Sequence, residues 1–331
     1  MMTTRYLILF LFIGIIISCS KDEPITEPFN ICTTDRYEKE IFSDVQVTTV
    51  KYGSNKSTIG IPVDLLMDVY EPVGDTLKKR PVIIWAFGGA FVSGDRKQLA
   101  ENARMAARLG YVSACIDYRL LNIITQWPID SVKALDIAVK AATDMKAAVR
   151  HFRKDAATLN VFRADPDKII IGGVSAGAIT AIQAAYFDES NNTDPRIKAV
   201  VDANGGIEGV SGDADNLKYS SKVQGVINLS GGIYRTEFIN SGEPPVISFH
   251  GDADEVVPYG YDWVRLSSIE IIPLYGSFEI DKRARQVNIR TSLNTVPMGG
   301  HDNIYTDAKF ADSRNMFNAV FNTFIKQVVC N

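Results

Sequence analysis

The stretch that most constrains this chain is residues 168–177, K-I-I-I-G-G-V-S-A-G. Lys168-Ile169-Ile170-Ile171 is short, β-branched and apolar, which predicts a strand. Two glycines end it, and Ala176-Gly177-Ala178-Ile179-Thr180-Ala181-Ile182-Gln183 continues as a helix former. Gly173-Val174-Ser175-Ala176-Gly177 therefore matches G-x-S-x-G in the strand-to-helix setting that gives the pattern meaning. A serine on so sharp a turn has strained backbone angles, and small neighbours let strand and helix pass each other. Its hydroxyl is then held out at the carboxyl edge of a sheet. A Gly/Ser-rich loop closing a β-α unit is the bland alternative; the flanking strand and helix favour a nucleophile.

The remainder of the chain supplies a sheet for that turn. Residues 45–52 and 63–70 alternate apolar and polar around the turn signal Gly53-Ser54-Asn55, which predicts an antiparallel pair at one edge. Residues 81–87 form a continuous apolar run, as in a strand buried on both faces. Further strands are expected over residues 111–117, 223–229 and 245–250, and a weaker one over residues 286–291. Helices are expected over residues 99–109, 130–155 and 312–329. Alternating strands and helices after an antiparallel start imply a mainly parallel sheet covered on both faces, an α/β class. At 331 residues and 46% hydrophobic content the chain can bury a large core, and one catalytic domain over residues 41–331 is expected. A net charge of −4 gives no electrostatic footprint for nucleic acid.

A serine hydroxyl needs a base, and the base needs an acid to orient it. Only three histidines exist, His151, His250 and His301. His151 lies inside the helix that precedes the serine strand, and His250 ends a buried strand, where a structural hydrogen-bonding role is expected. His301 follows Met298-Gly299-Gly300 in a short loop before the last helix and leaves room for an acid on a preceding strand end. That acid belongs in Gly251-Asp252-Ala253-Asp254-Glu255-Val256-Val257-Pro258, which offers three carboxylates. Asp254 is favoured, with Asp252 as runner-up because an Asp beside Gly suits a turn cap. Backbone N–H donors must also point where oxyanion charge develops. The amide of Ala176 is one candidate, and the loop Phe87-Gly88-Gly89-Ala90-Phe91 supplies the others.

These segments, with Ile116-Asp117-Tyr118-Arg119-Leu120, resemble the α/β-hydrolase superfamily from about residue 45 to the carboxyl end. Within it the chain is most similar to carboxylesterase and lipase-type enzymes with an H-G-G-x-[FW] oxyanion loop. The resemblance implies Ser175, Asp254 and His301 as the triad. It implies Gly89, Ala90 and Ala176 as oxyanion donors beside Gly88. Phe87 stands where that family usually has histidine, so the bracing of the loop must differ. Phe87, Phe91, Trp127, Tyr259 and Trp263 are candidate pocket residues.

The amino terminus reads as an export signal. Arg5 precedes an apolar run over residues 6–17, too short for an ordinary membrane span. Ile16-Ile17-Ser18-Cys19 resembles the lipobox of bacterial lipoproteins. The resemblance implies a signal peptide over residues 1–18, lipid on Cys19, and a polar tether over residues 19–40. It further implies membrane anchorage in the cell envelope, as in outer-membrane lipoproteins of Gram-negative bacteria. Cys32 and Cys330 flank the folded part and are expected to pair in that oxidising compartment, while Cys115 reads as a buried thiol. Asp213-Ala214-Asp215-Asn216 matches no full cation-ligand set, and no metal or cofactor is expected.

The reading is a lipid-anchored serine hydrolase of carboxylic esters. A prolyl-oligopeptidase-type peptidase is a rival within the fold, although no propeller-sized segment precedes the catalytic part. A non-catalytic surface-binding lipoprotein is the rival from another class. Acyl groups on polysaccharide, small lipids and polyesters are all compatible substrates.

Overall fold

The computed structural model describes residues 31–187, 194–213 and 215–330. The expected signal peptide and Cys19 lie outside these residues. Within them the main sheet takes β1 (Val45–Lys56), β2 (Pro62–Pro72), β3 (Arg80–Ala86), β4 (Val112–Ile116), β5 (Ala164–Val174) and β6 (Gly225–Leu229). A two-residue β7 (Gly232–Ile233) leaves it, β8 (Val246–Gly251) returns, and β9 (Tyr261–Leu266) and β10 (Ile269–Gly276) form a hairpin before β11 (Thr291–Val296) closes it. The order is β1-β2-β4-β3-β5-β6-β8-β11, and β7-β10-β9 form a separate small sheet. β1 and β2 pair antiparallel, as does β2 with β4; every other neighbour in the main sheet is parallel.

Alternation along the central strands divides the core in two, because successive strand side chains point to opposite faces. Val82, Ile84 and Ala86 face α3 (Ser131–Ala157) and α4 (Ala176–Tyr186). Ile83 and Trp85 face α1 (Ala100–Arg108) and α8 (Ala311–Cys330), with Trp85 against Phe321 at 6.4 Å between ring centroids. Asp130 starts α3 by accepting the amides of Val132 and Lys133, which satisfies two otherwise orphaned donors. The shorter helices are α2 (Ile123–Gln126), α5 (Pro195–Ala203), α6 (Ser277–Gln286) and α7 (Asn303–Thr306).

Two sequence expectations are corrected. The expected tether does not extend over residues 31–40, where Arg36 and Tyr37 are buried. The Arg36 guanidinium pairs with Asp75 and donates to the Gly110 carbonyl at 2.7 Å, and the Tyr37 amide donates to Leu109 at 2.8 Å. A buried charge with its partner carries no hydrophobic periodicity, so the segment looked like linker. A Cys32–Cys330 disulfide joins it to α8. The strand expected over residues 286–291 instead holds the end of α6 and a turn, where Asn288 takes φ 60°. The true strand, β11, follows it and is polar (Thr291, Ser292, Asn294, Thr295), because an edge strand needs only one apolar face. Cys115 is buried in β4, and burial pushes its thiol well above the usual range.

Candidate active site

Ser175 follows β5 and begins α4 with φ 54° and ψ −121°, a backbone conformation that costs a non-glycine residue on the order of 1–3 kcal/mol. The neighbours explain how it is held. A Cβ on Gly173 would lie 2.4 Å from the Gly177 carbonyl carbon, and one on Gly177 would lie 2.0 Å from the Ala86 oxygen. The Ser175 amide is fixed to the Leu229 carbonyl of β6 at 2.8 Å.

β5, β6, β8 and β11 are consecutive neighbours, so their carboxyl ends share one edge. β5 and β11 are nevertheless three steps apart, about 14 Å at ~4.8 Å per step. The loop after β11 closes the gap by leaning onto β8: a Cβ on Gly251 would meet the Gly299 oxygen at 2.1 Å, and the Ala253 amide donates to that oxygen at 2.9 Å. His301 thereby reaches both partners. The Ser175 hydroxyl donates to His301 Nε2 at 2.8 Å, and His301 Nδ1–H donates to Asp254 Oδ2 at 2.6 Å. An ionised carboxylate only accepts, which sets this tautomer.

Asp254 has a fully buried side chain. Burial pushes its carboxyl up, but hydrogen bonds from His250 and His301 outweigh that and hold it at about 2. Its Oδ1 accepts the amides of Val256 and Val257 at 2.8 and 2.9 Å. His250, also fully buried, donates from Nε2 to Asp254 Oδ2 at 3.1 Å and faces the Val257 carbonyl at 3.1 Å. Its Nδ1 accepts from Ser277 Oγ at 2.7 Å, and Ser277 in turn accepts from Asn228 Nδ2 at 2.9 Å. The Asp254 carboxylate and the Val257 carbonyl only accept, so His250 carries its proton on Nε2 and accepts at Nδ1, which fixes the direction from Asn228 to Asp254. Asp252 instead accepts the Met298 amide at 2.6 Å, the turn-capping role, and Glu255 is exposed. His151 sits on α3, beside Phe152 and Phe162.

The loop after β3 lies against the serine turn. A Cβ on Gly88 would come within 3.3 Å of Ser175 Cβ. Gly89 has φ 123° and no room for a side chain, with the Ser93 oxygen 2.1 Å from a built Cβ; Ala90 and Phe91 also have positive φ. The Gly88 amide donates to Gln98 Oε1 at 2.6 Å, so it is committed and leaves the expected donor set. The amides of Gly89, Ala90 and Ala176 donate to no other described residue. Phe87, at the usual histidine position, stacks on Tyr118 at 4.3 Å, and the Tyr118 hydroxyl donates to the Phe87 carbonyl at 2.7 Å. An aromatic stack and a glutamine thus brace the loop.

On the other side of Ser175 lies a cavity of ≈ 70 Å³ with no charged residue in its lining. Leu135, Ile179, Val257, Leu266, Ile272 and Leu274 are among its walls. Of the candidate pocket aromatics only Phe91 reaches it. Phe87 is turned into the core by its stack on Tyr118, Tyr259 bonds Thr295 at 2.6 Å, Trp127 is exposed, and Trp263 lines a separate outer groove. The sequence reading missed the β9–β10 hairpin, which supplies Val264, Leu266, Ile271, Ile272 and Leu274. The period-two pattern Ile269-Glu270-Ile271 was the available signal. No group of three or more His, Cys, Asp or Glu among the described residues could hold a metal ion, and Asp213 pairs with Lys154 at 2.8 Å. No helix among the described residues is long and apolar enough to cross a membrane.

A family model, BD-FAE, matches residues 67–262, more than half of the chain. The match includes Ser175, Asp254 and the loop after β3, and ends before His301. Carboxylesterase 5A of Homo sapiens is 32% identical over 125 residues, 37% of this chain and 20% of that protein, so the chain spans only a fifth of this curated relative's length. Among solved structures, esterase 2 of Thermogutta terrifontis phosphorylated by paraoxon superposes with TM-score 0.58 at 21% identity, covering 85% of this chain and 94% of that one. The same thermophilic esterase with propionate bound gives TM-score 0.57 at 20% identity, and with butyrate bound 0.58 at 19%, over the same shares of each chain. The likeness shows the α/β-hydrolase fold expected from the motifs.

Proposed function

The chain belongs to the BD-FAE family, and from that premise we propose that it is a carboxylic ester hydrolase working through an acyl-enzyme on Ser175. The observation that carries this reading is the hydrogen-bonded series Ser175–His301–Asp254 opening onto an uncharged cavity. His301 takes the hydroxyl proton as Ser175 attacks the ester carbonyl, and Asp254 stabilises the imidazolium that forms. The amides of Gly89, Ala90 and Ala176 receive the oxyanion. His301 then protonates the departing alcohol, and water repeats the sequence to release the acid. The acyl chain occupies the aliphatic cavity, and short aliphatic acyl groups suit its size. The Thermogutta terrifontis esterase with propionate and with butyrate bound supports that size range.

The test is hydrolysis of p-nitrophenyl acetate by protein lacking residues 1–19. Ser175→Ala is expected to lose roughly a thousandfold or more in kcat. Paraoxon should leave a diethyl phosphoryl group on Ser175, located by peptide mass spectrometry. Equal rates for the two proteins would sink the mechanism, and aminopeptidase activity exceeding ester activity would favour the peptidase.

We also propose that residues 1–18 are removed and that Cys19 carries lipid, anchoring the enzyme in the cell envelope. The lipobox-like Ile16-Ile17-Ser18-Cys19 and the disulfide between Cys32 and Cys330 support an exported protein. Cells fed a clickable palmitate analogue should label the wild-type chain, and Cys19→Ala should abolish the label. Labelling that survives this substitution would overturn the anchor.

A further inference from the structure

The cavity beside Ser175 ends at a wall one side chain thick. Leu135 of α3 lines it, and also lines a groove of ≈ 160 Å³ bordered by Ser131, Val132, Arg196 and Trp263. It lines a third, smaller cavity beneath α5 as well, of ≈ 20 Å³. Only Leu135 and Tyr234 are common to all three linings. They differ in how they are held. The Tyr234 hydroxyl accepts from Arg196 at 3.4 Å, and its ring lies 5.9 Å from the Arg235 guanidinium. Leu135, with 8% exposure, is held by packing alone.

We propose that Leu135 sets the longest acyl chain the enzyme accepts, as the removable part of the wall between the acyl cavity and the outer groove. The inference rests on the acyl-enzyme reading of Ser175. At ≈ 70 Å³ the cavity is small yet well above the minimum of about 10–15 Å³ that admits a single water, which suits a short acyl chain. Each methylene that enters should raise kcat/KM about fourfold, and the gain should stop where the chain meets Leu135. Beyond that wall, Trp263 and Pro273 give an apolar continuation that a longer chain would follow to the surface, and Ile272 lines both sides of it. Apart from Ser175 itself, Phe91, Gln183 and Tyr234, the walls are aliphatic, so they suit a flexible alkyl chain better than a flat aryl acid.

The experiment compares kcat/KM for p-nitrophenyl esters from acetyl to dodecanoyl, below their aggregation concentrations, in the wild-type chain, Leu135→Ala and Leu135→Phe. The wild type is expected to peak between butyryl and hexanoyl. Leu135→Ala should raise the decanoyl-to-butyryl ratio at least tenfold, and Leu135→Phe should move the peak towards acetyl. Cooperative thermal melts confirm folding, and Leu135→Phe decides the matter if the alanine variant does not fold. An unchanged profile in a folded variant, with hydrolysis still dependent on Ser175, overturns the wall alone. Absence of any Ser175-dependent hydrolysis by the wild type overturns the esterase reading and the inference together.

Discussion

Ser175 stands between two walls made in opposite ways. On one side every polar group has an assigned partner, from Asn228 through Ser277, His250, Asp254 and His301 to the serine hydroxyl. On the other side the cavity wall carries no charge and, Tyr234 apart, its aliphatic residues are held by packing. Hydrogen bonds are directional and leaving one buried group unpaired costs about 1–3 kcal/mol, so the polar wall tolerates little change. Dispersion contacts are individually small and unoriented, so the apolar wall can be reshaped one methylene at a time. Catalytic rate should therefore depend on the first wall and substrate choice on the second.

The sharpest way to break this contrast is Asp254→Asn. An amide presents a donor where His301 needs an acceptor, so the imidazole loses its tautomer and kcat should fall by about 10³–10⁴-fold. Chain-length preference should be unchanged in the residual activity, and a shifted preference would show that the two walls are not independent. Gln98→Leu tests the bracing that replaces the usual histidine. It leaves the Gly88 amide unpaired and frees the loop bearing Gly89 and Ala90, and about a tenfold loss in kcat with little change in KM is expected. A rise in KM alone would mean that Gln98 positions substrate rather than the loop.

His250→Phe probes the far end of the polar wall, with the smallest effect on rate, a few-fold in kcat. Its signature is in acid. Asp254 is held at about 2, below an unfolded carboxyl near 4, so its contribution to stability is complete above about pH 4 and disappears as pH falls towards 2. That contribution is roughly 2 kcal/mol in the wild type. Removing the His250 donor should raise the Asp254 pKa and flatten the fall in urea midpoint between pH 4 and pH 2. A parallel drop at every pH would mean that His250 only fills space.

The two walls also differ in how far they could be read from the chain. Ser175, Asp254 and His301 each follow a strand end within a short, recognisable pattern, because a nucleophile elbow and a strand-end loop are built from neighbouring residues. The cavity draws on α3, α4 and the β9–β10 hairpin, segments far apart in sequence whose aliphatic residues look like any other core. Aromaticity is no guide to the pocket: of Phe87, Phe91, Trp127, Tyr259 and Trp263, only Phe91 reaches the cavity. Gly88 shows the same limit at shorter range. Its glycine marks the loop, but only the folded position of Gln98 decides where its N–H goes.

The sequence by itself determined the α/β class, the strand-serine-helix turn, and the two strand-end loops that carry Asp254 and His301. These rest on local periodicity and on glycines that tight turns demand. Tertiary structure decided that residues 31–40 belong to the fold, because a buried Arg36–Asp75 pair leaves no periodic trace. It also decided that Asp254 rather than Asp252 meets His301, since the loop after β11 must lean onto the end of β8 to span the strands between. The size of the cavity beside Ser175 was decided there too, because it is the space left between elements and no single segment encodes it.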